Sequence, residues 1–393
     1  MTTAAAVVTP RDRRARRAVL TAFAIQGLTF ASLLTRLPVI KDDYDLRDYE
    51  ILLLVGVVAG LSAVGSIAAG AAAARWGSAV VLRACLVLAS LTVVLAGVAW
   101  SFPTVIIGTG LYGFAVGGVD ASSNMQGVAV QDRYGRSIMA GFLAMWSLAA
   151  AIGAGFAALF EALDLSLTVS LAVVTVAGVL LNVTLLGDLL PVDLDPLEAP
   201  AGGAGHLPFW PVFLVALPTF VMWFGDGATS TWSGIYLEDG LDVSASAAPV
   251  AYGAYQLMLF LPRIVGDRFV QRYGAAVVVR VGGWTAVAGL VLIVLAPALA
   301  LVFVGFALLG AGLSLVPPLS MVAAAHLDPD LADQAVARVN VANYLGFIVA
   351  AVAIALVSEL IDPRAMFVVP LLLAPLLPLM AGRFTPRVRA GEI

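Results

Sequence analysis

The chain has 393 residues, of which 61% are hydrophobic and 12% charged, with a formal net charge of −4. Ordinary soluble chains are about 45–50% apolar and about 25% charged, so this chain has too little polar surface to coat a soluble globule, and with most of its surface facing lipid no nucleic acid is expected as a partner. One cysteine, Cys85, excludes an intramolecular disulfide or multi-cysteine metal cluster, and two histidines, His206 and His326, both outside the apolar stretches, exclude a buried histidine-rich metal site; no cofactor is expected.

A hydrocarbon core near 30 Å is crossed by about 20 helical residues. Arg11, Arg13, Arg14, Arg16 and Arg17 precede an apolar run that superficially resembles a signal peptide. The run continues to Ile40, too long for a cleavable core and without a clear small-residue cleavage site, and reads as a retained first helix. The predicted spans begin with Arg17–Ile40, Ile51–Ala74, Ala79–Ala99, Pro103–Met125, Ser137–Leu159 and Leu165–Leu186. A polar stretch from Pro191 to Leu207 follows, holding Asp193, Asp195, Glu198 and the run Ala-Gly-Gly-Ala-Gly, and reads as a flexible linker. The second set is Phe209–Leu237, Ala245–Val265, Ala275–Leu295, Ala298–Ala323, Ala335–Val357 and Ala365–Met380. The expected organisation is a basic cytoplasmic N-terminus at 1–16 and a six-helix bundle at 17–190. A cytoplasmic linker at 191–207, a second six-helix bundle at 208–382 and a cytoplasmic tail at 383–393 follow.

Basic residues are retained on the cytoplasmic side of a membrane. With both termini inside, 17 of the 21 basic residues fall in inner segments, and only Arg36, Lys41, Arg47 and Arg364 fall outside. That bias predicts an even number of spans.

The two sets repeat one another. Arg75-Trp-Gly-Ser-Ala-Val-Val-Leu-Arg83 returns as Arg272-Tyr-Gly-Ala-Ala-Val-Val-Val-Arg280, an offset of 272 minus 75, or 197 positions. The same shift lays Thr29–Ile40 over Asp226–Leu237 and Gly113 over Gly310. Many secondary transporters are built from such membrane repeats, with the substrate site between them.

Charges at membrane depth mark function, because each costs about 2.5–3.5 kcal/mol at a helix centre on insertion scales. Two acids sit clearly inside apolar spans, Asp120 and Asp226. Asp120 reads as a protonatable carboxylate for a coupled ion or a substrate hydroxyl, or else as a helix-packing group beside Asn124, one turn away. Asp226, flanked by Gly225 and Gly227, reads as a functional acid, a local kink or an ion-pair partner. Gln26, Thr29 and Arg36 share one stripe of the first span. Arg36 is expected either to pair with Asp226 or to snorkel to the outer headgroups.

Tyr252, Tyr255 and Gln256 share a face of the eighth span, and Asn340, Asn343 and Tyr344 a face of the eleventh. With Trp146 they offer stacking surfaces and amides for a polar solute, or they hold helices together. The turns with Gly70, Arg75 and Gly77, and with Arg263, Gly266, Asp267 and Arg268, read as cytoplasmic gates or as solvated basic loops.

These turns resemble the Gly-x-x-x-Asp-Arg-x-Gly motif of the major facilitator superfamily. Ala74 stands at the acid position of the first copy, and Gly266-Asp267-Arg268 keeps the acid in the second. Thr35-Arg36-Leu37-Pro38-Val39-Ile40-Lys41 looks like the first-span signature of a bacterial subgroup, the YbjJ-like inner-membrane proteins, more distantly related to fucose–proton symporters. Asp120-Ala-Ser-Ser-Asn124, Gly135-Arg136-Ser-Ile-Met139, Thr231-Trp232-Ser-Gly-Ile-Tyr236-Leu237 and Asn343-Tyr344-Leu345-Gly346 are similar to others of that group. The resemblance implies an all-α integral membrane protein of the bacterial inner membrane, with twelve helices in two pseudo-symmetric halves. It implies a monomeric, proton-coupled carrier of a small polar, sugar-like solute by alternating access, with Asp120 matching the symporters' fourth-span acid. The symporters' first-span acid is missing: that helix offers Gln26 and Arg36. The other carrier reading is a proton-antiporting exporter of drugs or metabolites, against which stands the lack of proline in Ser137–Leu159. No phosphate loop, paired histidines or nucleophile triad points to an enzyme.

Overall fold

The computed structural model describes residues 8–135, 138–190, 209–325, 327 and 332–384, except the side chains of Asp267, Ala325, 332–338, Asn340, Val341 and Tyr344. The expected linker, both histidines and most of the expected C-terminal tail lie outside the described residues. The described residues form helices and turns only. Their contacts divide the chain into two compact units, Met1–Leu197 with Asp242–Gly253, and Glu198–Leu241 with Ala254–Ile393.

In the first unit, α1 (Pro10–Leu34) starts ahead of the expected first span. Thr9 and Asp12 cap each other: the Thr9 N–H donates to Asp12 Oδ2 at 2.9 Å and the Asp12 N–H to Thr9 Oγ1 at 3.3 Å. Pro10 takes the first helical position, where a missing N–H leaves no hydrogen bond unmade. The arginines from Arg11 to Arg17 therefore belong to the helix instead of preceding it. The helix breaks at Thr35–Arg36 and resumes as α2 (Leu37–Asp43), since Pro38 can enter a helix only in its first turn.

Next come α3 (Asp48–Trp76), α4 (Ser78–Val93), α5 (Leu95–Val98), α6 (Phe102–Tyr134), α7 (Met139–Ala162) and α8 (Leu167–Leu185). α1 packs on α7, α6 and α8, while α3 and α4 pack on α6. Gln126 pins α6 from inside: its amide donates to Ser78 Oγ at 2.8 Å and to the Leu190 carbonyl at 2.9 Å, and accepts from the Leu190 N–H at 3.1 Å.

The second unit contains α9 (Phe209–Ile235), which ends in a π-helical turn over Tyr236–Gly240. α10 (Ala248–Tyr273) belongs to it from Ala254 on. α11 (Ala275–Leu295), α12 (Leu299–Leu313), α13 (Val316–Ala325), α14 (Ala332–Leu360), α15 (Val368–Leu373) and α16 (Leu376–Met380) complete it. α9 packs along α14 and α13, and α11 along α12 and α16. Tyr236 donates to the Ile293 carbonyl at 2.6 Å and its ring meets Phe367 edge-on, so this residue of the Thr231–Leu237 motif is core.

Among the described residues ten stretches are long and apolar enough to cross a membrane, counting Pro10–Asp43, Ser78–Val98, Leu299–Ala324 and Pro363–Phe384 across their breaks. The expected eighth and eleventh spans are not among them. α10 carries Arg263, Asp267, Arg268 and Arg272, and the apolar part of α14 is the shorter Leu345–Leu360. Three further spans expected as continuous are interrupted: Ala79–Ala99 at Val94, Ala298–Ala323 ahead of Pro317-Pro318, and Ala365–Met380 at Pro375.

The internal repeat is visible in the backbone. α3 and α10 both run on through the basic residues that were expected to form turns, and each stops at a single glycine. Gly77 has φ 80° and ψ 144°, and Gly274, 197 positions later, φ 81° and ψ 154°. In both copies the preceding guanidinium lies over an aromatic ring, Arg75 over Trp76 at 5.7 Å and Arg272 over Tyr273 at 5.3 Å. A Cβ added at Gly113 would strike the Val58 backbone and one at Gly310 the Tyr255 backbone, a pair of crossings related by the same shift.

The Gly77 and Gly274 conformations are open to glycine and cost other residues about 1–3 kcal/mol. Gly77→Ala and Gly274→Ala should each lower the thermal midpoint in detergent. Gly70→Ala, whose Cβ meets nothing within 4 Å, should not.

Candidate functional site

Each unit has one carboxylate well inside a membrane-crossing helix, away from the helix ends. In the first unit Asp120 lies on α6, on a stripe with Tyr112 two turns earlier. Tyr112 is buried and its hydroxyl donates to Thr29 Oγ1 at 3.3 Å, while Thr29 Oγ1 donates within α1 to the backbone carbonyl of Gln26 at 3.1 Å. The Gln26 amide in turn donates to Asp120 Oδ1. Tyr112, Thr29 and Gln26 are buried, whereas Asp120 is exposed. A buried side-chain amide thus donates to an accessible carboxylate. α4 presents Cys85 against Gly118, two residues from it.

One turn past Gln26, the Phe30 ring meets Trp146 of α7, centroids 5.5 Å apart and planes tilted by 51°. Both are half-buried. The stacked pair Phe23–Phe142, 5.7 Å apart, is enclosed on the same two helices. Asn124 is turned to its own backbone, its amide donating to the Asp120 carbonyl at 2.9 Å, so the carboxylate does not receive it.

Arg36 corrects an expectation. It is 1% exposed, so it does not snorkel. Its guanidinium forms an ion pair with Glu161 at the end of α7 and donates to Ser170 Oγ of α8 at 2.8 Å. Its partner is therefore Glu161, in place of the expected Asp226, and it ties the α1–α2 break to two neighbouring helices.

In the second unit Asp226 on α9 is 7% exposed and accepts from the Tyr255 hydroxyl of α10 at 2.8 Å. Arg263, two turns further along α10, is close enough for its charge to act on both groups. Its Nε donates to the Ser314 carbonyl at 3.2 Å. In an unbroken helix that carbonyl would take the N–H of residue 318, but Pro318 has none. Arg263 supplies the missing donor at the α12–α13 break. It is thus an intrahelical residue serving a helix break, which corrects its expected place in a cytoplasmic turn.

Of the remaining candidates, Tyr252 and Gln256 are buried and Asn343 is half-buried. The side chains of Asn340, Tyr344 and Asp267 lie outside the described residues. Gly266 is buried against Leu315, while Arg75 and Arg268 are exposed. Among the described residues no group of three His, Cys, Asp or Glu side chains converges on a metal site.

Sequence reasoning passed over Tyr112, Phe30 and Glu161. Tyr112 shares the Asp120 stripe at helical spacing and Phe30 follows Gln26 by one turn, so both were findable. Glu161 lay two residues past the drawn end of its span.

The Major Facilitator Superfamily model matches residues 19–332 and again 219–392. The chain is 30% identical over 375 residues to the uncharacterized transporter y4wD of Sinorhizobium fredii (strain NBRC 101917 / NGR234), covering 93% of this chain and 97% of that one. It is 27% identical over 350 residues to the membrane protein MosC of Rhizobium meliloti, with 87% and 83% covered. Among solved structures, a mutant of nucleoside transporter NupG superposes with a TM-score of 0.72 at 15% identity, covering 94% of this chain and 98% of that one. The human organic anion transporter MFSD10 (TETRAN) does so at 0.67 and 15%, with 96% and 100% covered. At those identities the structures speak for the fold.

Breaking a buried ion pair from one side leaves a stranded charge, typically at about 3–5 kcal/mol. Arg36→Met or Glu161→Leu alone should lower the thermal midpoint sharply, and the double variant should recover much of the loss. A double variant as unstable as the sum of both would contradict the pairing.

Proposed function

The chain belongs to the major facilitator superfamily, and from that premise we propose that this membrane transporter is a secondary carrier, moving a small polar solute by alternating access and driven by protons. The observation that carries the reading is Asp120, a carboxylate on a membrane-crossing helix whose hydrogen-bond donor is the neutral Gln26. A carboxylate without a fixed counter-charge can take up and release a proton, or a solute group that replaces it. Asp226, with Tyr255 and the nearby Arg263, is the second titratable element, in an electrostatic setting that Asp120 lacks. One proton moving with the membrane potential supplies about 2.3 kcal/mol per 100 mV.

In the same reading the chain crosses the membrane twelve times with both termini in the cytoplasm of a bacterial cell. α10 has 26 residues and α14 has 29, about 39 and 43 Å at 1.5 Å per residue. Either is long enough to span, and the distribution of basic residues favours cytoplasmic ends. The Thr35–Lys41 and Asp120–Asn124 motifs favour the YbjJ-like subgroup. Residues 17–190 and 208–382 would form its two halves around the linker at 191–207. Trp146, Tyr252, Gln256, Asn340, Asn343 and Tyr344 are assigned as solute contacts. Gly70, Arg75, Gly77, Gly266, Asp267 and Arg268 are assigned to the cytoplasmic gate.

Solutes that raise the thermal midpoint in a detergent screen should be taken up by proteoliposomes faster when an inward proton gradient is imposed. Asp120→Asn should abolish that dependence while the protein stays folded. Uptake by the unaltered protein that ignores the gradient would refute the coupling.

A further inference from the structure

Among the described residues no opposite charge meets Asp120: no guanidinium or ammonium forms an ion pair with it. Oδ1 accepts from Gln26, and no hydrogen bond is made to Oδ2. Asp226, by contrast, has Arg263 nearby. A neutral solute that covered Asp120 from water would leave the carboxylate with nothing opposing its charge.

The second observation lies about one helical turn, ~5.4 Å, further along α1. The Phe30–Trp146 pair keeps part of its ring surface open, although Phe23–Phe142 shows that the same two helices can enclose such a pair completely. A half-buried aromatic pair one turn from the donor of a carboxylate favours a cation, and Trp is the strongest such ring among the side chains.

We propose that the Gln26–Phe30–Asp120–Trp146 cluster of the first unit binds the ammonium group of an amine-bearing polar solute, with Asp120 as its counter-ion and Trp146 as its π surface. This rests on the carrier reading above and names the solute class for it. Gln26 acts behind it as a positioning residue, its side-chain amide donating to Oδ1. An ammonium and a proton then compete for one carboxylate.

The test uses matched pairs differing in charge: glucosamine and glucose, choline and its uncharged isostere dimethylbutanol, putrescine and butanediol. Binding is read as the rise in thermal midpoint of the full chain in detergent. At least one amine should bind about tenfold or more tightly than its neutral partner. Asp120→Asn should remove that preference and Asp120→Glu should retain it. Trp146→Leu should weaken the amine several-fold more than its neutral partner, which keeps the question decidable if Asp120→Asn does not fold. Neutral partners binding as well as the amines, a preference that survives Asp120→Asn, or no binding by any of the amines would overturn the proposal. Counterflow in proteoliposomes separates the two readings. An amine that binds through Asp120 but is never carried sinks the carrier and leaves the site, whereas transport of neutral solutes alone sinks the site and leaves the carrier.

Discussion

Hydrocarbon offers no hydrogen bonds, so a chain whose helices cross it must satisfy its polar groups from within. Two helix interruptions in this protein bear the mark of that constraint. Where Pro318 has no N–H to give the Ser314 carbonyl, Arg263 reaches across from α10 and gives one. At the α1–α2 break, Arg36 is buried and its charge is met by Glu161 and its hydrogen bonding by Ser170. Gln126, fully buried in α6, has both ends of its amide engaged. Prolines break the helices, and long polar side chains cover what the breaks expose.

The internal duplication separates scaffold from chemistry. Positions 197 apart agree where backbone geometry is at stake: the two positive-φ glycines, the two arginine–aromatic caps before them, and the Gly113–Val58 and Gly310–Tyr255 crossings. They differ where polar groups meet. Thr29 corresponds to Asp226, Val58 to Tyr255 and Asp120 to Pro317. The crossing that is inert at Val58 delivers a phenol to Asp226 at Tyr255. One scaffold thus carries two different carboxylate sites, one with an arginine near it and one served by a neutral amide.

That difference bears on a carrier's energetics. A group whose charge is balanced in place can stay ionised through a cycle, while an unbalanced one must find a proton or a cationic ligand. Among the described residues neither acid forms an ion pair; Asp226 is held by the Tyr255 hydroxyl and Asp120 by the neutral Gln26 amide. The open ring surface beside Asp120 gives a ligand something to rest on besides the charge.

Composition, span length and the 197-residue repeat were enough to read the membrane-embedded, duplicated character of the chain, because apolar periods and glycine positions are local properties of sequence. Asp120, Asp226 and Gln26 stood out for the same reason: a polar side chain in an apolar run is conspicuous without coordinates. Partners were another matter. Arg36 was expected either to pair with Asp226 or to snorkel, yet folding set it against Glu161, a residue beyond the drawn end of its span. Arg263 was placed in a turn by its charge, but α10 continues past it to Tyr273, and its place follows from a carbonyl left bare by a proline 55 residues later. Tyr112 and Phe30 looked like ordinary aromatic residues until helix packing put one in line with Thr29 and the other against Trp146. A sequence displays which groups need a partner in hydrocarbon; only the crossing of distant helices determines which partner each one receives.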